Sequence, residues 1–131
     1  MAIVVALDKK SLRSERVLEF ALKEAKLRNE KLFFVHSLFG KEKTKAEEVI
    51  EGEKLLEWAA EQAKREGIEF EKHLLIRGKE PAEDVIEFAN DVAASMIIIG
   101  VRKRRPTGKV LFGSVAQEII LNAAQPVVCI K

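Results

Sequence analysis

The sequence of 131 residues has one cysteine, Cys129, and two histidines, His36 and His73. A single thiol excludes an internal disulfide, and these three scattered side chains offer no metal-ligand spacing and no Cys/His nucleophile pair, so no metal site and no catalytic group is expected. No apolar run approaches the ~20 residues that a bilayer-spanning helix needs. The opening MAIVVALDKK is too short in apolar length and too soon interrupted by charge for a signal peptide, so a soluble, cytoplasmic protein is expected. Repeats, low-complexity tracts and Pro/Gly-rich linkers are missing, and nothing divides the chain. A GxxxxGK(S/T) phosphate loop and an SGG-type pyrophosphatase loop are missing too. Aspartate is scarce, three against eighteen glutamates, which makes the aspartate closing the first apolar run conspicuous.

What is present is 47% hydrophobic residues, arranged in alternating blocks. That content at this length suits one compact domain burying well over half of its unfolded surface. IVVAL at 3–7 is continuous and β-branched, the pattern of a strand covered on both faces. A helix follows, capped by Ser11 or Ser14, with Val17, Leu18, Ala21, Leu22 and Ala25 on one stripe. LFFVHSL at 32–38 is the second strand. Thr44 with Glu47 fits a capping box for the longest helix, whose stripe runs through Val49, Ile50, Leu56, Ala59, Ala60 and Ala63 to a stop at Gly67. Residues 68–76 form a third strand whose first half alternates, the mark of thinner cover. Pro81 suits a helix first turn, with Val85, Ile86, Phe88 and Ala89 buried. Residues 96–99 make a fourth strand, 114 to about 123 a fourth helix, and 126–130 a fifth strand. Strands separated by helices imply parallel pairing and right-handed crossovers, hence a three-layer α/β sandwich.

Ligands of such sheets bind beyond the carboxyl ends of the strands, where strand order reverses. Asp8, Ser37 and Gly100 all lie at strand ends. Between Gly100 and Ser114 the chain reads GVRKRRPTGKVLFGS, in which Arg102, Lys103, Arg104, Arg105 and Lys109 give +5 while the whole chain carries +2. Gly113 permits close backbone approach, and Ser114 opens a helix whose first N–H groups lack internal partners, so a phosphate fits there. Ser114 with Gln117 is equally readable as an S-x-x-Q capping box that needs no ligand. Asp8 either caps the following segment or accepts hydrogen bonds from a ligand in the crevice. For Arg104 and Arg105 a phosphate clamp and a solvated loop fit equally well. Nucleic acid is the less favoured partner, because no aromatic side chain interleaves the RKRR run and no recognition-helix motif is present. Trp58, His36 and His73 read as packing residues and Cys129 as a small buried apolar one.

With IVVALD at the start, LFFVHSL as second strand, GKEPAEDVIEFA before the fourth and MIIIG followed by GSVAQEIILNAAQPVVCI at the end, the chain resembles the universal stress protein family from end to end. The resemblance implies a single domain over 1–131, with a five-stranded parallel sheet of order 3-2-1-4-5 and helices on both faces, a Rossmann-like fold of the adenine nucleotide alpha hydrolase-like type. The family's phosphate motif is GxxG, nine residues, then G and S or T; Gly100, Gly113 and Ser114 fall at its intervals, but Lys103 occupies the second glycine position. Lys9-Lys10-Ser11 also departs from the Gly-Ser that many members carry after the aspartate. In nucleotide-binding members ATP, with or without Mg²⁺, lies at the switch point. Matching positions assign Asp8 and the backbone near Ser37 to adenine and ribose, and Gly100, Gly113, Ser114 and Val115 to the phosphates, with Arg102, Lys103 and Lys109 able to assist.

The apolar fifth strand, at the expected sheet edge, invites pairing. Members of the family commonly dimerise antiparallel through it, so Val127, Val128, Cys129 and Ile130 are the expected homodimer contacts. The leading expectation is a regulatory stress-response module in which ATP occupancy orders residues 100–114. A nucleotide-free dimeric scaffold or interaction protein is the alternative, favoured by Lys103. Slow ATP hydrolysis is the weaker enzymatic reading, since phosphoryl transfer needs metal coordination and a positioned nucleophile, and Asp8 is the one carboxylate that the sequence places near the loop.

Overall fold

The apolar run at the amino terminus becomes β1 (Ala2–Ala6), the middle strand of five. In the computed structural model, which describes residues 1–40, 44–102 and 113–131, it is followed by α1 (Leu12–Arg28), β2 (Lys31–Leu38), α2 (Ala46–Arg65), β3 (Phe70–Ile76), α3 (Pro81–Asp91), β4 (Met96–Gly100), α4 (Ser114–Asn122) and β5 (Val127–Ile130). All neighbouring strands pair parallel, in the order β3-β2-β1-β4-β5. Val4 lies opposite Phe33 of β2 on one side and Ile97 of β4 on the other. The three-layer α/β sandwich and its strand order are those expected.

Side chains of a strand alternate between faces, so an inner strand between two helical layers must be apolar at every position. Ile3, Val5, Phe34 and Ile98 enter one core with Val17, Leu18 and Ala21 of α1 and Leu56 and Ala59 of α2. Val4, Phe33, Val35 and Ile97 enter the other with Val85 and Phe88 of α3 and Ala116 and Ile119 of α4. Each fully buried Phe, Ile or Val here contributes roughly 1.5–3 kcal/mol over an exposed one. β3, at one edge, turns both Glu71 and Lys72 to solvent, the thinner cover that its sequence suggests. Lys31 donates to Glu71, and this hydrogen bond, with one from His73, holds the Glu71 carboxyl below the usual range.

The helix ends are set by local chemistry. Ser11 caps α1, its hydroxyl accepting from Ser14 N at 3.2 Å while Ser14 Oγ accepts from Ser11 N at 2.7 Å, so both expected cap residues serve in one reciprocal box. Asn29 ends α1 in the left-handed region, and Gly67, at φ 68°, follows the end of α2 with Ile68 N donating to Ala63 O at 3.0 Å. Pro81 takes the first turn of α3 as expected.

Four expectations are corrected. Thr44 and Glu47 make no capping box: Lys45 is the N-cap of α2 without a side-chain bond, because the Thr44 hydroxyl accepts instead from Gly40 N at 2.6 Å. Ile50, one turn into α2, is exposed rather than buried, at a shallow surface hollow that it shares with Lys72 and Leu74 of β3. Ile68 falls in the turn before β3 rather than in the strand. Cys129 is exposed rather than buried, since β5 is the other edge strand and no helix covers that position. Among the described residues, no helix is long and apolar enough to cross a membrane.

Candidate functional site

The chain leaves β1 for α1 on one face, and reaches β4, on the far side of β1, through α3 on the other. The carboxyl ends of β1 and β4 therefore diverge, and a cleft of about 410 Å³ opens above them between the first turns of α1, α3 and α4. It gathers Asp8, Ser37, Gly100, Arg102, Gly113, Ser114 and Val115, every expected binding residue within the described part of the chain. Lys103, Arg104, Arg105 and Lys109 lie outside the described residues, as does most of the 100–114 segment.

Leu7 closes β1, its N donating to Val35 O at 2.9 Å while its O lies 2.7 Å from His36 Nδ1. His36 is thus spent on the backbone, the packing role expected of it. Asp8 follows in solvent reach at the cleft rim, its Oδ1 accepting from Lys9 N at 2.7 Å. It does not cap α1, because Ser11 does; its outer oxygen is left facing Arg13, with Nη2 at 3.8 Å from Oδ2.

On β2 the Ser37 hydroxyl donates to Asp84 Oδ2 at 3.0 Å. Asp84, fully buried in the first turn of α3, also accepts from Arg77 Nε at 2.6 Å and pairs with Arg77 Nη2. The hydroxyl of Ser37 is therefore committed, and what it offers a ligand is backbone. Since Val35 O points at β1, strand alternation turns the Ser37 N–H and C=O to the same edge, beyond the last residue of β1.

On the opposite wall, Val101 N donates to Ile130 O at 2.8 Å, which fixes where Arg102 emerges at the cleft. The N-cap of α4 is Gly113, at φ −66° and ψ 162°, and Ser114 is the first helical residue. The S-x-x-Q capping box is consequently not formed: the cap position has no side chain, and Gln117 N is held by Gly113 O at 3.0 Å as an ordinary helical bond. The N-cap Gly113 makes no side-chain cap bond, and the amino terminus of α4, whose first N–H groups have no partner within the helix, opens on the cleft with its positive dipole end.

Sequence reasoning missed Arg13 and the Asp84–Arg77 pair. Each carried a signal: Arg13 is a cation in the first turn of a helix, where the dipole disfavours it, and Asp84 is one of only three aspartates and stands beside the apolar stripe of α3. On the other side of Asp8 a hollow of about 260 Å³ reaches Trp58, whose ring carries Lys10 Nζ at 5.4 Å. Trp58 packs against the first core as expected. Among the described residues no three His, Cys, Asp or Glu side chains gather as a metal-holding group.

Known proteins share this architecture. The family model described as "Universal stress protein family" matches residues 1–131. A solved universal stress protein from Archaeoglobus fulgidus is 56% identical, with a TM-score of 0.94 and coverage of 100% of this chain and 98% of that one. A universal stress protein from Archaeoglobus fulgidus in complex with dAMP is 51% identical, with a TM-score of 0.89 and the same coverage, 100% and 98%. A universal stress protein of Mycolicibacterium smegmatis is 37% identical over 54 residues, 41% of this chain and 42% of that protein. The matches to curated relatives span less than half of those proteins' length.

Proposed function

The chain belongs to the universal stress protein family, and from that premise we propose that its cleft binds an adenine nucleotide, ATP among them, as a regulatory stress-response module without dedicated catalysis. The observation that carries the reading is the amino terminus of α4, which faces the cleft with glycine, a residue that has no side chain to cap it, at the N-cap. Backbone donors and a helix dipole aimed at one point favour a phosphate. The dAMP complex of the similar Archaeoglobus chain supports it. In this reading Gly113, Ser114 and Val115 would hold phosphate, with Gly100 beneath and Arg102 supplying charge; Asp8 and the Ser37 backbone would face sugar and base. Lys103 would add a point charge to the phosphates, and Mg²⁺ would accompany a triphosphate rather than bind alone.

Ordering of residues 100–114 by the bound nucleotide belongs to the same proposal, and needs a ligand that prefers one loop state over the other. The homodimer does too: β5 presents an unpaired edge beside β4, and antiparallel pairing with a second copy would complete a continuous sheet through Val127, Val128, Cys129 and Ile130.

The test is calorimetry of ATP and AMP, with and without Mg²⁺, on the wild type and a Gly113→Ala, Ser114→Ala double variant, with protease cutting of 100–114 read alongside. Among the described residues a Cβ at Gly113 meets nothing within 4 Å, so the variant is aimed at the ligand's approach rather than at the core. Micromolar binding that weakens at least roughly tenfold in the variant, with nucleotide protecting the segment, is the expected result. A folded wild type that binds neither nucleotide would sink the proposal in favour of the nucleotide-free scaffold to which Lys103 points.

A further inference from the structure

Arg13 stands where the chemistry of α1 gives no reason for a cation. It is the second residue of the helix, past the Ser11 cap, and a positive charge in that turn opposes the dipole. The capping box does not use its side chain, and the apolar stripe does not include it. The stem instead crosses the floor of the cleft from α1 to β4. Its Cγ and Cδ lie 3.1 Å, and its Nε 3.3 Å, from the point where a Cβ on Gly100 would stand. The guanidinium ends beside Asp8 at 3.8 Å, close enough for an ion pair and too far for a hydrogen bond. That is its one polar contact among the described residues. With the side chain 19% exposed, a fork of five N–H donors is mostly withdrawn from water and barely used.

We infer that Arg13 is a specificity-determining residue of the cleft, selecting a phosphorylated nucleoside over the nucleoside itself by binding the phosphate next to the sugar. The inference rests on the nucleotide reading above, in which Asp8 belongs to the sugar and base side and Gly100 to the phosphate side. Arg13 joins the two. On binding, phosphate oxygens take the place of the Asp8 carboxylate at the guanidinium, two N–H donors at a time. Asp8 is then released to accept from a hydroxyl or amino group of the ligand. A nucleoside brings no anion, so it competes for Asp8 and leaves the guanidinium uncompensated. Gly100 also acquires a reason of its own: a Cβ there would crowd the Arg13 stem, which would have to give by a few tenths of an ångström.

The experiment compares AMP with adenosine by calorimetry on the wild type, Arg13→Ala and Arg13→Lys, with circular dichroism melts to establish folding. AMP affinity should fall roughly 10- to 100-fold in Arg13→Ala, the size of a lost charged hydrogen-bond pair, while adenosine binds as before or more tightly. Arg13→Lys should recover only part of the loss, because an ammonium supplies charge without the fork. Unchanged AMP affinity in folded Arg13→Ala, or equal losses for AMP and adenosine, would overturn the inference and leave the nucleotide reading standing. A wild type that binds neither ligand would overturn the nucleotide reading, and this inference with it. Should Arg13→Ala melt below the assay temperature, Arg13→Gln keeps much of the stem over Gly100 without the charge and serves for the same comparison.

Discussion

Asp84 joins the second core to the cleft wall. Its carboxylate is buried completely and holds three donors, the Ser37 hydroxyl and two nitrogens of Arg77, so the end of β2, the segment after β3 and the first turn of α3 meet at one side chain. Removing it strands those donors, the hydroxyl on half-buried Ser37 and the two nitrogens on an Arg77 side chain that keeps some contact with water. Asp84→Ala should therefore destabilise the fold by about 2–3 kcal/mol, below the full cost of breaking a wholly buried pair. Urea unfolding measures it, and a loss under 1 kcal/mol would show the network to be dispensable. Its scarcity as one of three aspartates is the one signal in the sequence, since a charged position next to an apolar stripe otherwise reads as a solvated helix face. Asp8 is the converse case. It is conspicuous in the sequence as the aspartate at a strand end, and its carboxylate stands at the cleft rim because a strand that stops there exposes whatever follows.

Among the elements, α2 shows how closely a helix can lie on a sheet. Gly52 faces β2 and β3, and a Cβ added there would stand 2.8 Å from His36 Cδ2 and 2.9 Å from Leu74 Cδ1. The His36 ring cannot give way cheaply, because its Nδ1 is engaged with Leu7 O at the lip of the cleft. Gly52→Ala would gain up to about 1 kcal/mol of helix propensity against about 1–3 kcal/mol of overpacking. A net loss of about 1 kcal/mol in a thermal or urea melt is expected, and a stabilised variant would contradict the packing argument. Helix periodicity told where α2 lies but not where it begins: Thr44 and Glu47 have the spacing of a capping box, and only the position of Gly40 shows that the threonine hydroxyl is taken by another donor. The same holds for α4, where S-x-x-Q has the spacing of a capping box but Gly113, one residue earlier, is the N-cap.

For the whole molecule, β5 is an edge strand of the sheet, with β4 on one side and no strand among the described residues on the other. Val128 and Ile130 pack inward against the first core and Val127 against the second, while Cys129 points out uncovered and partial desolvation pushes its thiol pKa up. A charge at Val128 would breach the core as well as the edge, so Cys129→Lys is the cleaner probe of the proposed dimer: cationic side chains on an edge strand oppose pairing with a second copy. Light scattering at micromolar concentration should show the wild type at twice the monomer mass and the variant at the monomer mass; a wild type already monomeric, or a variant that stays dimeric, would remove β5 as the interface. By itself the sequence determined the number and order of elements, the parallel sheet and the strand ends that bear the site, because continuous apolar runs and 3.6-residue stripes each permit one kind of burial. Only the tertiary structure decided that Arg13 lies over Gly100, that Asp84 claims the Ser37 hydroxyl and that Gly113 rather than Ser114 caps α4. These are contacts between segments distant in sequence, or a one-residue choice of helix start, and neither leaves a period in the chain that local chemistry could reveal.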